Sequence, residues 1–355
     1  MKLLIGWLIF ATACSMFDGG VHSDPFDEHT VDGGDGTVDC GSSGRPDECG
    51  SWTTVTGMPT ARAELAATTG ADGTIYAIGG TVDLSEWHPV AIVEAYTPGL
   101  DSWIELPPMP TARQWLGATT GTDGRIYAIG GQEVDGSVSA AVEAYTPSSQ
   151  TWSSLAPLPT PRYGLAVATD SQGHIYAFNG IDSNNLETYL VEVYDPTTNT
   201  WSDNRPPTVF PRAFFGLATF GDNVILVGGI GDATLAQVST FNVSEGNSSA
   251  LNIPPMLTPR TDLAVAATDD DLFAIGGHLG DNTQGIDPDQ VFATVEGVAG
   301  SAPNATWFVA SSMQTARAGL AAATSGGTIY AIGGRTAVYD GLVATMETFT
   351  PPTAR

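Results

Sequence analysis

Few side chains in this sequence are of a kind that does chemistry, and their spacing excludes most familiar machinery. The three cysteines, Cys14, Cys40 and Cys49, all lie within the first fifty residues. Five histidines, at 22, 29, 88, 174 and 278, make no clustered metal set. No nucleophile elbow, phosphate loop or zinc motif appears. The expectation is no catalytic residue, no metal and no cofactor. What remains is ion pairing and acid–base chemistry. The chain carries 39 acidic residues against 12 basic ones, a net charge of −27, and its only lysine is Lys2. Such a surface repels phosphate backbones, which argues against a nucleic-acid partner. The acidity reads first as solubility outside the cell and second as weak association with divalent cations.

The N-terminus points to export. Lys2 precedes the apolar run Leu3–Ala13, and small residues follow. Residues 1–14 read as a secretory signal too short to span a bilayer as a stable helix. Ala11-Thr12-Ala13-Cys14 resembles a bacterial lipobox, although leucine is commonest where Ala11 stands. That resemblance implies a lipid on Cys14, and a lipid would be the protein's sole means of membrane association. An ordinary signal with an incidental cysteine is the other reading. The expected location is a bacterial outer-membrane or cell-surface lipoprotein, or otherwise the periplasm or the medium. Residues 15–49 are acidic and rich in glycine and serine, unable to bury enough apolar surface to fold alone, and read as a flexible tether. Cys40 and Cys49 either pair in an oxidising compartment or remain as two thiols.

From residue 50 onward the chain repeats. Met58-Pro-Thr-Ala-Arg62 leads to a double glycine at Gly80, and Met109-Pro-Thr-Ala-Arg113 to one at Gly131. Four further units follow, with arginines at 162, 212, 260 and 317, so the spacings are 51, 49, 50, 48 and 57. Each unit continues with a strand such as Val93-Glu-Ala-Tyr96. A tryptophan then opens a fourth strand, at 103, 152, 201 and 307. The fourth unit lacks that tryptophan and has Leu251 nearby, so its outer strand is expected to be degenerate.

This pattern resembles the kelch family, over about residues 50–355. Four short apolar stretches per unit, separated by turn residues, independently predict a four-stranded antiparallel blade. The fold expected is an all-β, six-bladed β-propeller. The sixth unit ends without a tryptophan strand, and Ser51-Trp52-Thr-Thr-Val55 supplies the missing one from the N-terminus. The six arginines are expected to serve packing and hydrogen bonding between blades, and the repeated tryptophans and tyrosines to form core.

With the strands of a blade lettered a to d, the d–a and b–c connections emerge on one face. The b–c loops are long and unlike one another, at about 81–92, 132–141, 181–190, 230–237, 278–290 and 335–345. Variable loops on a rigid frame are the usual seat of binding. The kelch resemblance implies partner contacts from two positions on that face. After the glycines these are Thr81, Gln132, Ile181, Ile230, His278 and Arg335; two residues past each arginine they are Glu64, Trp115, Gly164, Phe214, Asp262 and Gly319. Trp87 and Trp115 fall outside the repeated tryptophan position, with Glu64, Glu86 and His88 nearby. Such a pair suits a peptide anchor or a sugar ring; the bland reading is that each caps a loop cluster. Arg335 offers a contact to a ligand carboxylate.

Some kelch propellers are enzymes. Galactose-oxidase-like proteins use copper and a tyrosine cross-linked to cysteine, and this propeller has no cysteine after Cys49. Sialate mutarotases are six-bladed, exported and use acid–base groups, roles that Glu64, Asp262 and Arg335 could fill. No distinctive mutarotase motif is present. The expectation is therefore a monomeric protein- or peptide-binding scaffold acting through the loop face, with a carbohydrate-binding or sugar-modifying propeller as the alternative. The triplets at Asn242, Asn247 and Asn304 would matter only in a eukaryotic secretory pathway.

Overall fold

The computed structural model describes residues 49–202, 205–248, 253–280, 290–299, 305–337 and 340–352. The signal, the tether up to residue 48, Cys14, Cys40 and Leu251 lie outside them. The chain forms six four-stranded antiparallel sheets. Strand a of each sheet abuts strand a of the next, and the sixth abuts the first, so the sheets close as the blades of a propeller.

Blade 1 comprises Ala66–Thr69, Ile75–Ile78, Val93–Thr97 and Ser102–Leu106 as strands a to d. The second strand is Ile-Tyr-Ala-Ile, buried at every position. It carries an unbroken apolar run because neighbouring blades cover both of its faces. Strand d is the outer edge and is largely exposed. In blade 4 the described part of this strand is Asn247–Ser248.

Blade 6 holds Ala321–Ser325, Thr328–Ile332 and Met346–Thr350, and its outer strand is Ser51–Val55. The pairing runs from Ser51 opposite Thr350 to Val55 opposite Met346. Trp52 lies 5.0 Å from Phe349 and donates its indole N–H to Ser311 O. The two ends of the propeller are thus tied in one sheet, as the displaced tryptophan strand implies.

The repeated arginines are fully buried. The Arg62 guanidinium donates to Gly79 O at 2.6 Å and Ile92 O at 3.1 Å, and pairs with Glu94 at 2.7 Å. Thr60 Oγ1 donates to the other Glu94 oxygen. Arg113 repeats this with Gly130, Ala141 and Glu143, and Arg162 with Asn179, Leu190 and Glu192. Arg260 and Arg317 pair with Glu296 and Glu347. Blade 4 alone places Ser239 opposite its arginine, Arg212.

These guanidinium contacts lie within one blade, so the hydrogen bonding expected of the arginines between blades falls to their backbone. A guanidinium has five donors and no acceptor, so it suits a cluster of carbonyls and a carboxylate that the double-glycine turn leaves buried. The link between blades is the arginine's own carbonyl. It accepts the N–H of the second glycine of the preceding blade: Gly80 to Arg113, Gly131 to Arg162, Gly180 to Arg212, Gly229 to Arg260, Gly277 to Arg317 and Gly334 to Arg62, all at 2.8–2.9 Å. Glycine is required at this second position because its φ is positive in every blade and a Cβ on Gly80 would meet Ala63 O at 2.5 Å, whereas the first position tolerates Asn179 in blade 3.

The outer tryptophans form a second tie. Trp307 is buried, whereas Trp103, Trp152 and Trp201 are half-buried and not the full core expected. Their indole N–H groups donate to Thr56, Pro107 and Ala156 carbonyls, each on the segment leaving the preceding outer strand.

Removing one carboxylate should leave a buried guanidinium uncompensated. Glu143→Ala is expected to destabilise the propeller by about 3–5 kcal/mol, read from the urea midpoint. A loss below about 1 kcal/mol would mean that the carbonyls alone satisfy Arg113.

Candidate functional site

The two positions implicated by sequence meet at the axis. Glu64, Trp115, Gly164, Phe214, Asp262 and Gly319 all have φ between 51° and 62°. Their backbones form a closed ring. Trp115 N–H donates to Glu64 O, Gly164 to Trp115, Phe214 to Gly164, Asp262 to Phe214, Gly319 to Asp262 and Glu64 to Gly319, at 2.8–3.0 Å. The left-handed turn aims each N–H at the preceding blade. The next residues, Leu65, Leu116, Leu165, Phe215, Leu263 and Leu320, are buried behind the ring.

A cavity of about 130 Å³ lies at the ring itself, lined by the six ring residues and the buried apolar residues that follow them. A separate channel of about 480 Å³ runs between the a strands, lined chiefly by alanine and threonine. Threonine hydroxyls staple neighbouring strands there, as in Thr120 to Thr69 O and Thr324 to Ala267 O, both 2.8 Å.

The side chains at the mouth divide into two halves. On one side, Arg335 is held between Glu64 and Asp262, the latter at 2.7 Å. His278 Nε2 lies 3.0 Å from the same Asp262 oxygen, and its Nδ1 lies 2.9 Å from Leu279 O. The Leu279 carbonyl only accepts, so Nδ1 donates to it, while Nε2 faces both the Asp262 carboxylate and the Arg335 guanidinium, the latter at 3.3 Å. Gly319 makes this cluster possible. A Cβ there would meet Glu64 Oε1 and Arg335 Nη1 well inside contact distance.

On the other side the rings pack together. Trp115 sits 4.9 Å from Trp87, 5.6 Å from Tyr163 and 5.6 Å from Phe214, centroid to centroid. All four rings are half-buried. Gly164 leaves space here in turn, since a Cβ would meet the Phe214 ring at 2.9 Å. Trp115 also acts on the Glu64 carboxyl, pulling it down against the effect of burial, so the two halves touch electrostatically.

Burial pushes the Glu64 carboxyl up to about 7, against the opposing pull of Arg335. Asp262 is buried as well, but Arg335 and His278 outweigh that and hold it at about 2. Burial lowers His278, yet its bond to Asp262 and the charge of that carboxylate raise it overall. The charged side chains of the cluster are therefore paired with one another.

Seven residues expected at the site gather at this mouth: Glu64, Trp87, Trp115, Phe214, Asp262, His278 and Arg335. His88 does not join them. Its side chain is exposed, and its backbone closes the loop through Asp83 O and Thr81 Oγ1. Arg335 is buried and committed to two carboxylates, so the contact expected with a ligand carboxylate does not exist in this arrangement. Tyr163 was not anticipated. It follows Arg162 directly, where the other blades carry alanine, glutamine or threonine, so the signal was present in the sequence. Among the described residues no group of three or more potential ligands is placed to hold a metal.

Three segments of the chain, residues 65–110, 117–159 and 161–203, match the Kelch motif. No curated protein matches the sequence significantly. Among solved structures the chain is similar to the one titled "Structure of YjhT", at a TM-score of 0.69 and 17% identity, covering 83% of this chain and 95% of that one. A likeness at that identity concerns the fold alone.

The Glu64 shift has a signed consequence. A carboxyl raised from 4.5 to about 7 keeps, when folded, a proton that the unfolded chain releases. Its stabilising contribution is full below about pH 4.5 and fades as pH rises towards about 7. Glu64→Gln should remove that decline, so its melting temperature should fall less than the parent's across this window. Equal slopes would mean that Glu64 titrates as an ordinary carboxylate.

Proposed function

We propose, from the premise that this chain is a kelch-repeat β-propeller, that it is an exported binding scaffold whose loop-face mouth docks a protein or peptide segment. The supporting observation is the identity of the ring residues. Gly164 and Gly319 make the same ring hydrogen bonds as the other four positions. Glycine is thus sufficient for the scaffold and carries no strain at positive φ. Four blades nevertheless place Glu, Trp, Phe and Asp there, at a cost of roughly 1–2 kcal/mol each. Strain kept at convergent side chains is a mark of a functional site.

The packing at the axis favours docking over engulfment, because the paired Glu64, Arg335 and Asp262 and the four packed rings fill it. A ligand would lie across the rings and loops. A sugar stacked on Trp87 and Trp115 is the second reading, favoured by their tilted, half-exposed pair. In our reading the N-terminal segment directs export, Cys14 carries the lipid anchor, and Cys40 pairs with Cys49 beside the propeller.

Trp115→Gly separates binding from folding. It relieves positive-φ strain while deleting the central ring, so stability should change by less than about 1–2 kcal/mol. The same substitution in a packed core would cost at least the roughly 3–5 kcal/mol of an aromatic-to-alanine change. Capture of a protein from solubilised envelope should be lost in this variant. Unchanged capture would remove the mouth from the docking site, and unfolding of the variant would make Trp115 a scaffold residue.

A further inference from the structure

The charged side chains of the mouth are committed to one another, so the surrounding loops supply the free charge that a docking segment meets. Two carboxyl groups, Glu64 and Asp262, face Arg335 and His278. The b–c loops of blades 1, 2, 3, 4 and 6 carry Glu86, Glu133, Glu187, Asp232 and Asp340, among other carboxylates. The charge of Glu187 is felt by Tyr163, so one rim carboxylate acts electrostatically on the aromatic floor.

Among the described residues no exposed arginine or lysine on that face answers them. Seven of the described arginines are buried, namely the six repeat arginines and Arg335. The other two, Arg125 and Arg205, reach towards Asp123 and the Tyr176 hydroxyl, near the a–b turns of the opposite face. The floor also continues outward as apolar surface. Tyr163 donates to Asn185 in the blade 3 loop, where Leu186 and Tyr189 are exposed, and Tyr189 O accepts the N–H of Thr208 beside the exposed Val209 and Phe210.

From this juxtaposition we infer that the loop face docks a cationic peptide segment, one that alternates lysine or arginine with apolar side chains. The inference rests on the scaffold reading above and adds the chemistry of the partner. Apolar side chains lie along the aromatic floor and the blade 3 and 4 track. The basic groups sit over ring faces and beside the rim carboxylates, where cation–π and ion-pair attraction act together. An acidic segment meets repulsion from every described loop of the rim.

The test uses the full chain and three synthetic peptide pools of equal length and leucine content. Alternate positions carry Lys or Arg in the first pool, Gln or Ser in the second, and Asp or Glu in the third. Binding is read by fluorescence anisotropy at physiological salt. The cationic pool should bind roughly tenfold more tightly than the neutral one, and the triple variant Glu86→Gln/Glu187→Gln/Asp232→Asn should lose that advantage. Asp72→Asn/Asp269→Asn/Asp270→Asn makes the same charge change on the opposite face and should alter binding by less than about twofold. All six positions are exposed or half-buried, so both variants should melt as the parent does.

Equal binding of the neutral or acidic pool, or an equal loss in the opposite-face variant, overturns the charge inference. If that binding is still abolished by Trp115→Gly, the scaffold reading stands without it. If no pool binds in a saturable, Trp115-dependent way, the scaffold reading falls and takes the inference with it; saturable binding of a neutral oligosaccharide in its place would have the same meaning.

Discussion

One buried residue per blade carries the architecture in two directions. The guanidinium of each repeat arginine gathers carbonyls of its own double-glycine turn and, in five blades, a strand c glutamate. The carbonyl of the same residue receives the N–H of the preceding blade. A charge buried this deeply tolerates no loose geometry, because any lost partner leaves it unsatisfied in a medium of low dielectric. The turn, the strand and the blade interface are therefore fixed by one node, repeated six times and closed by Gly334 on Arg62.

The mouth follows from that node. Two residues beyond each arginine the chain turns left-handed, and the six turns bond into a ring across the axis. Because the ring is made of backbone, the side chains on it are free to differ. They differ strongly: an aromatic half on blades 1 to 4, an internally paired polar half on blades 5, 6 and 1, and glycines at the two positions where neighbours need room. A symmetric frame thus presents an asymmetric surface, and asymmetry is what recognition of one partner requires.

The fold was legible because the scaffold repeats. Six arginines, six turns and a displaced Trp52 strand define the ring and its closure without any coordinates. The partner of each arginine was less legible. Glu94 and its equivalents sit in plain view inside the Val-Glu-Ala strands, yet only the turn geometry brings them back to the arginine some thirty residues earlier. The site residues could be named by position because they break the repeat, and Tyr163 could have been found in the same way. Their mutual arrangement could not. Whether Arg335 faces a ligand or its own carboxylates depends on side chains from three blades meeting at the axis, and no local pattern encodes that meeting. His88 shows the converse, a residue close in sequence to Trp87 but turned away to solvent by the loop.

The central claim is that binding belongs to one face of the disc. A photoreactive phenylalanine derivative placed at Trp87, and separately at Asp72 on the opposite face, tests it directly in the producing cell. The account predicts a discrete covalent protein adduct from position 87 and none from position 72. Adducts from position 72 alone, or equally from both, would contradict it.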